Sequence, residues 1–357
     1  MILVMKDRLR RLLRFVSNNS TQDRFIRIDG SVFSGSVGSV YVSYTLPTHY
    51  IGPTKFPVKV LASDFKNILG SLSGVSGISI SIDAKLGTIC INGVSMPFVL
   101  DDPCIIQDRQ TMSSRIVISD LVVDAIRRVS GFTGGRDSVR DIFKYIYLDG
   151  GNVVATDSYL LNRVKVVTGL IDGMSILIPS MVSDLIPPFS ELLVSDTECM
   201  IVSRELTISF PVGDKVYPKW QMVLPDPSGL QRSLVVDGQL LGDSVRRLKQ
   251  LHASFCMLVY RGCSLYLWGF DDIDGCCEVD EVVPIHVICG YFTSDRYALF
   301  RTEKLLKAQG ELLGRVSIYF GEVTGSPLIL NGDTVIMPML PSAELSNKVS
   351  TDIRFSE

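Results

Sequence analysis

The feature that most constrains this chain is that it repeats itself. Three segments open like helices behind a small polar residue: Ser63-Asp64-Phe65-Lys66-Asn67-Ile68-Leu69, Ser180-Met181-Val182-Ser183-Asp184-Leu185-Ile186 and Thr302-Glu303-Lys304-Leu305-Leu306-Lys307. In each, a hydroxyl can cap the first amides, and apolar residues then return at helical spacing. A second set, over 6–16, 119–129 and 237–251, precedes the first at similar intervals. Both sets recur roughly every 120 residues, too long a period for a solenoid and suited to repeated domains. The spacing predicts three domains, 1–113, 114–226 and 227–341, followed by a segment 342–357.

Between the helices the pattern is that of strands. Phe25-Ile26-Arg27-Ile28 alternates and meets a turn signal at Asp29-Gly30. Ile78-Ser79-Ile80-Ser81-Ile82 alternates strictly, as do Leu206-Thr207-Ile208-Ser209-Phe210 and Val316-Ser317-Ile318-Tyr319-Phe320. Each third reads helix, strands, helix, strands. The expected class is α+β with antiparallel sheets, because the connections look too short for parallel crossovers. Gly35-Ser36-Val37-Gly38 lacks the Lys-Ser/Thr of a phosphate loop and reads as a hairpin turn.

Composition removes several functions. Hydrophobic residues make up 46% of the chain, ample for cores, yet no run reaches the roughly 18 apolar residues of a membrane-spanning helix. The first residues, MILVMKDRLRRLLRFV, place apolar residues before charge, the reverse of a secretory signal. They predict a strand residue or two and then a helix. A cytoplasmic protein is expected. None of the eight cysteines is spaced as CxxC, and the three histidines, His49, His252 and His286, stand apart. No metal, no cofactor and no catalytic group are expected. In Val153-Val154-Ala155-Thr156-Asp157-Ser158-Tyr159-Leu160-Leu161, hydroxyls and a carboxylate interrupt an apolar run with no histidine nearby. The stretch suits a turn or the edge of a docking groove better than an active site.

The net charge of −3 excludes a generally basic nucleic-acid binder. The helices nonetheless carry positive charge in every repeat: Lys6, Arg10 and Arg14 in the first, Arg127 and Arg128 in the second, Arg246, Arg247 and Lys249 in the third. The partner helices add Lys66, Lys304 and Lys307. One such helix would be an ordinary solvated face. Three in register, without interleaved aromatics, suit the phosphates of duplex DNA and not stacked single-strand bases.

Three motifs then resemble a known family. Ala155-Thr156-Asp157-Ser158-Tyr159-Leu160-Leu161 is similar to the Ala-Thr-Asp-Gly-His-Arg-Leu segment of the bacterial β sliding clamps. Tyr217-Pro218-Lys219-Trp220-Gln221-Met222-Val223-Leu224-Pro225 resembles their Phe-Pro-Asp-Tyr-Arg-Arg-Val-Leu-Pro, and Val335-Ile336-Met337-Pro338-Met339 their Val-Val-Met-Pro-Met. The motifs occur in the family's order, and the likeness covers about 1–341. It implies three clamp domains per chain, with sheets outside and helices lining a central hole. It further implies a head-to-tail homodimer that closes a ring on double-stranded DNA, without sequence preference, and tethers a DNA polymerase. The interface would join 96–100 to 252–256 of a second copy. A clamp loader is implied as a partner, and no enzymatic activity. A clamp-fold scaffold or decoy that does not encircle DNA is the alternative.

The resemblance also implies a groove for partner peptides, lined by Phe143, Thr156, Ser158, Tyr159, Leu160, Leu161, Pro218, Met222, Val223, Thr324, Ser326, Met337, Pro338 and Met339. A DNA-contacting loop would hold Arg136 and Arg140. The chain departs from the family pattern at Ser158, Tyr159, Leu160 and Met222, where a glycine and cationic or imidazole side chains are replaced. The expected result is a more apolar groove that prefers hydrophobic partners. The segment 342–357 reads as a plain polar end, or as one that carries Ile353 and Phe355 back into the groove.

Overall fold

The computed structural model describes residues 2–19, 24–46, 48–50, 57–71, 78–83, 85–101, 113–135, 138–170, 173–213, 215–224, 233–271, 280–292, 294–321 and 325–351. Among them are six α-helices: α1 (Ile2–Asn19), α2 (Ala62–Ser71), α3 (Asp120–Ser130), α4 (Gly238–Gln250), α5 (Thr302–Lys307) and α6 (Ala343–Thr351). The first helix begins at Ile2, so no strand precedes it. The segment 180–186, expected as a helix, is a 3₁₀ helix, Ser180–Leu185. The prolines that follow set its end, since Ile186, the residue before Pro187, is driven out of the α region.

Two compact units share the chain, the first comprising 1–124, 148–151 and 167–214, the second 125–147, 152–166 and 215–357. A nine-stranded sheet dominates the first unit. It reaches from Ser114–Ile118 to Val99–Leu100, and strands of the first and second sequence repeats meet where Leu206–Pro211 pairs with Val40–Thr45. Its hairpin Phe25–Asp29/Val32–Val37 turns at Gly30, whose φ of 59° is free of strain in glycine. The sequence places the next turn at Gly35–Gly38; the strand in fact runs through Val37, and the chain reverses at Gly38 and Ser39. Gly35 instead admits α1. A Cβ there would lie 2.3 Å from Val16 Cγ2, so only a bare backbone lets the helix settle on the sheet with Leu12, Phe15 and Val16 buried.

Thr48–Tyr50 runs parallel to Ile78–Asp83, and the chain between them carries α2 and is long enough for a crossover.

In the second unit a long sheet passes from Tyr145–Leu148 through Asn152–Thr156, Leu160–Lys165, Thr334–Ile336, Leu328–Leu330, Arg315–Phe320 and Leu234–Asp237 to Val287–Cys289. A four-stranded sheet, ordered Asp280–Ile285, Ser264–Phe270, Phe255–Arg261, Arg296–Arg301, lies in the same unit. Its strands are apolar on both faces. One face packs on α4 so closely that a Cβ on Gly269 would sit 2.4 Å from Leu248 Cδ2. The other carries Met257, Val259, Trp268 and Phe270, and α6 covers it with Leu345 and Val349. Lys348 Nζ stands 5.2 Å from the Trp268 ring centre. The stretch expected as a polar end is therefore, through Thr351, a helix that completes a core; Ile353 and Phe355 lie outside the described residues.

Candidate functional site

The interrupted apolar run is a tight connection between two paired strands, Asn152–Thr156 and Leu160–Lys165, with Thr156 opposite Leu161. Its polar residues build that connection. Asp157 Oδ1 accepts from the amides of Tyr159 at 2.9 Å and Leu160 at 2.7 Å. The Thr156 hydroxyl donates to the Leu160 carbonyl at 2.7 Å and accepts from the Ser158 amide at 3.1 Å. Ser158 then takes a φ of 78°, the left-handed region that glycine occupies freely. The result turns Leu160 and Leu161 inward and lifts Tyr159 out, 59% exposed. Thr156, Leu160 and Leu161, expected to line a groove, are buried, because consecutive residues of these two strands are covered on both faces and the turn's hydrogen bonds hold Thr156 in place.

The adjoining wall comes from far along the chain. Leu160–Lys165 pairs with Thr334–Ile336, and the Met337 amide donates to the Tyr159 carbonyl at 2.8 Å. Met337 is exposed and Pro338 half-buried, whereas Met339 packs on the cluster under α6 and donates its amide to Leu299. Met222 is 81% exposed at the end of a one-turn helix, Trp220–Met222, and Val223 follows it at the surface. Trp220 anchors this turn in the core under the Arg163 guanidinium, which itself pairs with Asp333. Pro218 adjoins Tyr217, which stacks on Tyr147 at 4.7 Å and whose phenol burial holds well above its usual range. Ser326 is half-buried beside Gly321. Thr324 and Arg136 lie outside the described residues.

A cavity of about 540 Å³ opens at the turn, lined by Gly134, Gly135, Ser138, Val139, Arg140, Phe143, Asp157, Ser158, Tyr159 and Lys304. Phe143 is buried as its apolar floor, held by the one-turn helix Asp141–Lys144. Asp157 joins the cavity to α5. Its Oδ2 accepts from Lys304 Nζ at 2.9 Å and Lys307 Nζ at 3.2 Å. Burial pushes the Asp157 carboxyl up, but the Lys304 hydrogen bond, the Leu160 amide, Lys307 and the Tyr159 amide together hold it below its usual value. Lys304 Nζ also lies 5.0 Å from the Tyr159 ring centre.

The basic side chains divide into two groups. Lys6, Arg10 and Arg14 recur every fourth residue along one face of α1, and none of the three is ion-paired among the described residues. Their neighbours Arg8 and Arg11 pair with Glu205 and Asp7. Lys66, Arg127, Arg140, Arg247 and Lys249 are exposed. Lys304 and Lys307, expected to face DNA, are engaged by Asp157. Arg128 is engaged by the buried Glu311, whose hydrogen bond raises the guanidinium further, and Arg246 pairs with Asp243. Asp157 and Glu311 lie far in sequence from the helices whose cations they hold, which is why a reading of helix charge alone missed them, whereas Asp243 is a neighbour of Arg246 within α4.

No cluster of three potential metal ligands occurs among the described residues. The Cys199 and Cys256 thiols are buried, and burial pushes both up to about 12, which leaves them protonated and unreactive. No helix of the described residues is long and apolar enough to cross a membrane.

Helices packed on antiparallel sheets that pass from one sequence repeat into the next define the fold of the bacterial DNA sliding clamps. Solved structures agree over nearly the whole chain. The DNA polymerase III subunit beta of Borrelia burgdorferi, in complex with a natural product, is similar with a TM-score of 0.75 and 15% identity, covering 95% of this chain and 97% of that one. The Caulobacter crescentus DNA polymerase sliding clamp gives 0.73 and 16%, covering 95% and 98%. The Helicobacter pylori beta clamp bound to a DNA ligase peptide gives 0.72 and 15%, with the same coverage. The sequence matches no protein-family model and no curated protein sequence.

Proposed function

We propose that this chain is a DNA sliding clamp. Two copies, each of three clamp domains (1–113, 114–226 and 227–341), would close head to tail around duplex DNA and hold a DNA polymerase on its template. The observation that carries this reading is the clamp fold itself, matched over 95% of the chain and nearly all of each neighbour. Such a protein needs no catalytic group, only diffuse attraction to phosphates and a surface for partners. Lys6, Arg10, Arg14, Lys66, Arg127, Arg247 and Lys249 would supply the first. The surface around Tyr159, Met222, Val223 and Met337 would supply the second, for short peptides of the polymerase, the clamp loader and other replication proteins. Methionines suit that role because they adapt to varied partners.

A second reading, a clamp-fold scaffold that does not encircle DNA, draws on the neutralisation of Arg128, Arg246, Lys304 and Lys307 by carboxylates. Topology separates the two. A ring loaded by a clamp loader stays on nicked circular DNA through gel filtration and leaves when the circle is linearised, with a dimer mass in sedimentation. Equal loss from circular and linear DNA would favour the scaffold.

A further inference from the structure

The sequence repeats meet one another by one rule. Val40–Thr45, the third strand after the first helix of the first repeat, pairs antiparallel with Leu206–Pro211, the third strand after the second helix of the next. Leu160–Lys165 and Thr334–Ile336 hold the same two places in the second and third repeats, and pair in the same way. The rule leaves one strand of each kind over. Asp280–Ile285 ends the four-stranded sheet of the second unit, and Val94–Pro97 ends the sheet of Thr48–Tyr50, Ile78–Asp83 and Thr88–Ile91. Among the described residues each has a neighbour on one side only. On the ring reading above, on which this inference rests, these two strands would meet between copies. Phe255 and Cys256, expected there from the family resemblance, lie in a strand paired on both sides and offer no edge. We infer that α6 braces the joint strand Asp280–Ile285, and that it thereby sets how firmly two copies close.

The contacts of α6 reach that strand. Val282 stands opposite Trp268 and packs on the cluster that Leu345 and Val349 complete. Lys348 Nζ lies 5.2 Å from the Trp268 ring centre, and Arg261 Nη1 donates to the Val349 carbonyl at 3.3 Å, which ties the end of α6 to the same sheet. The joint between the second and third repeats supplies the precedent. There the chain that follows Leu206–Pro211 turns back, and its buried Trp220 lies 5.8 Å under the guanidinium of Arg163, a residue of the joint strand Leu160–Lys165. Arg163 in turn pairs with Asp333 across the joint. In the third repeat α6 occupies the corresponding place, following Thr334–Ile336 and covering the sheet that holds Asp280–Ile285. A strand with hydrogen bonds on one side only opens locally more easily than an interior one. Association that must first order such a strand loses that free energy, so a brace in place beforehand strengthens closure.

The test measures dimerisation of the full chain by sedimentation across a concentration series. Val349→Ala should raise the dimer dissociation constant about threefold, and deletion of 342–357 about tenfold or more. Ile318→Ala, a buried change in the other sheet of the same unit, is the control. It should lower stability yet leave dimerisation within about twofold, being remote from the joint strand. Hydrogen exchange locates the effect. Amides of 94–97 and 282–285 should gain protection together as the unaltered chain dimerises, and those of 282–285 should exchange faster in Val349→Ala at every concentration. Where the deletion fails to fold, Val349→Ala decides. A dissociation constant unchanged in that variant, or raised no more than in Ile318→Ala, would overturn the inference and leave the ring standing. Protection on dimerisation that omits 282–285 would overturn the joint strand and the brace with it. An unaltered chain that stays monomeric at every concentration would overturn the ring reading as well.

Discussion

Ser158 shows how one residue can strain a turn and keep it. Its φ of 78° costs an L-residue about 1–2 kcal/mol, which glycine does not pay. Ser158→Gly should stabilise the chain by about 0.5–1 kcal/mol, the relief being partly offset by glycine's unfolded-state entropy. Chemical denaturation at neutral pH measures this, and a destabilised variant would mean that the hydroxyl makes a contact worth more than the strain. Asp157 behaves in the opposite sense. Asp157→Asn keeps the turn's acceptor oxygen but leaves Lys304 and Lys307 without their carboxylate, at a cost of about 1–3 kcal/mol. The pH dependence follows from the depressed carboxyl. The unfolded chain takes up its proton near pH 4, before the folded one does, so this stabilisation is complete at neutral pH. It is lost as pH falls below about 4 through the folded value. The Asn variant should show a flatter acid limb in denaturation midpoints between about pH 5 and pH 2. The turn itself was legible in the sequence, because Thr, Asp and Ser cap their own backbone over a few residues. The lysines that seat on Asp157 were not, since a partner 147 residues away leaves no local trace.

Among the elements, α6 illustrates what was readable and overlooked. The strands Phe255–Arg261 and Ser264–Phe270 are apolar at nearly every position, the mark of a sheet covered on both faces. One cover, α4, was predicted from its periodicity. The second was hidden in a polar segment, where Leu345 and Val349 stand one helical turn apart. Leu345→Ala should cost about 2–5 kcal/mol by thermal or urea denaturation, as for other fully buried leucines. Removal of 342–357 should expose Met257, Val259, Trp268 and Phe270, and raise the binding of a hydrophobic dye. A truncated chain of unchanged stability and unchanged dye binding would show that α6 is dispensable. Repeats and strand alternation were legible for the same reason, being periodic and local. The 3₁₀ character of Ser180–Leu185 and the parallel pairing of Thr48–Tyr50 with Ile78–Asp83 were not, since both depend on how neighbouring segments meet.

For the molecule as a whole, net charge and local charge point in different directions, and the ion pairs decide how much of the local charge is available. By sequence, helices of all three repeats contribute to a basic surface. By structure, α1 keeps a row of cations, Lys6, Arg10 and Arg14, while α5 and parts of α3 and α4 are neutralised by Asp157, Glu311 and Asp243. Attraction to phosphates weakens with salt by about 0.9 in the log–log slope for each contact. Replacing Lys6, Arg10 and Arg14 together by glutamine should therefore lower the slope for duplex binding by about 2 to 3. Replacing Lys304 and Lys307 should lower it by well under the roughly 1.8 of two free contacts, since Asp157 already holds them. Titration of a short duplex across a salt series compares the two variants directly. Equal slope losses per lysine or arginine would show that Asp157 releases its partners to DNA. A larger loss at α5 than at α1 would show that the first helix does not meet the duplex at all.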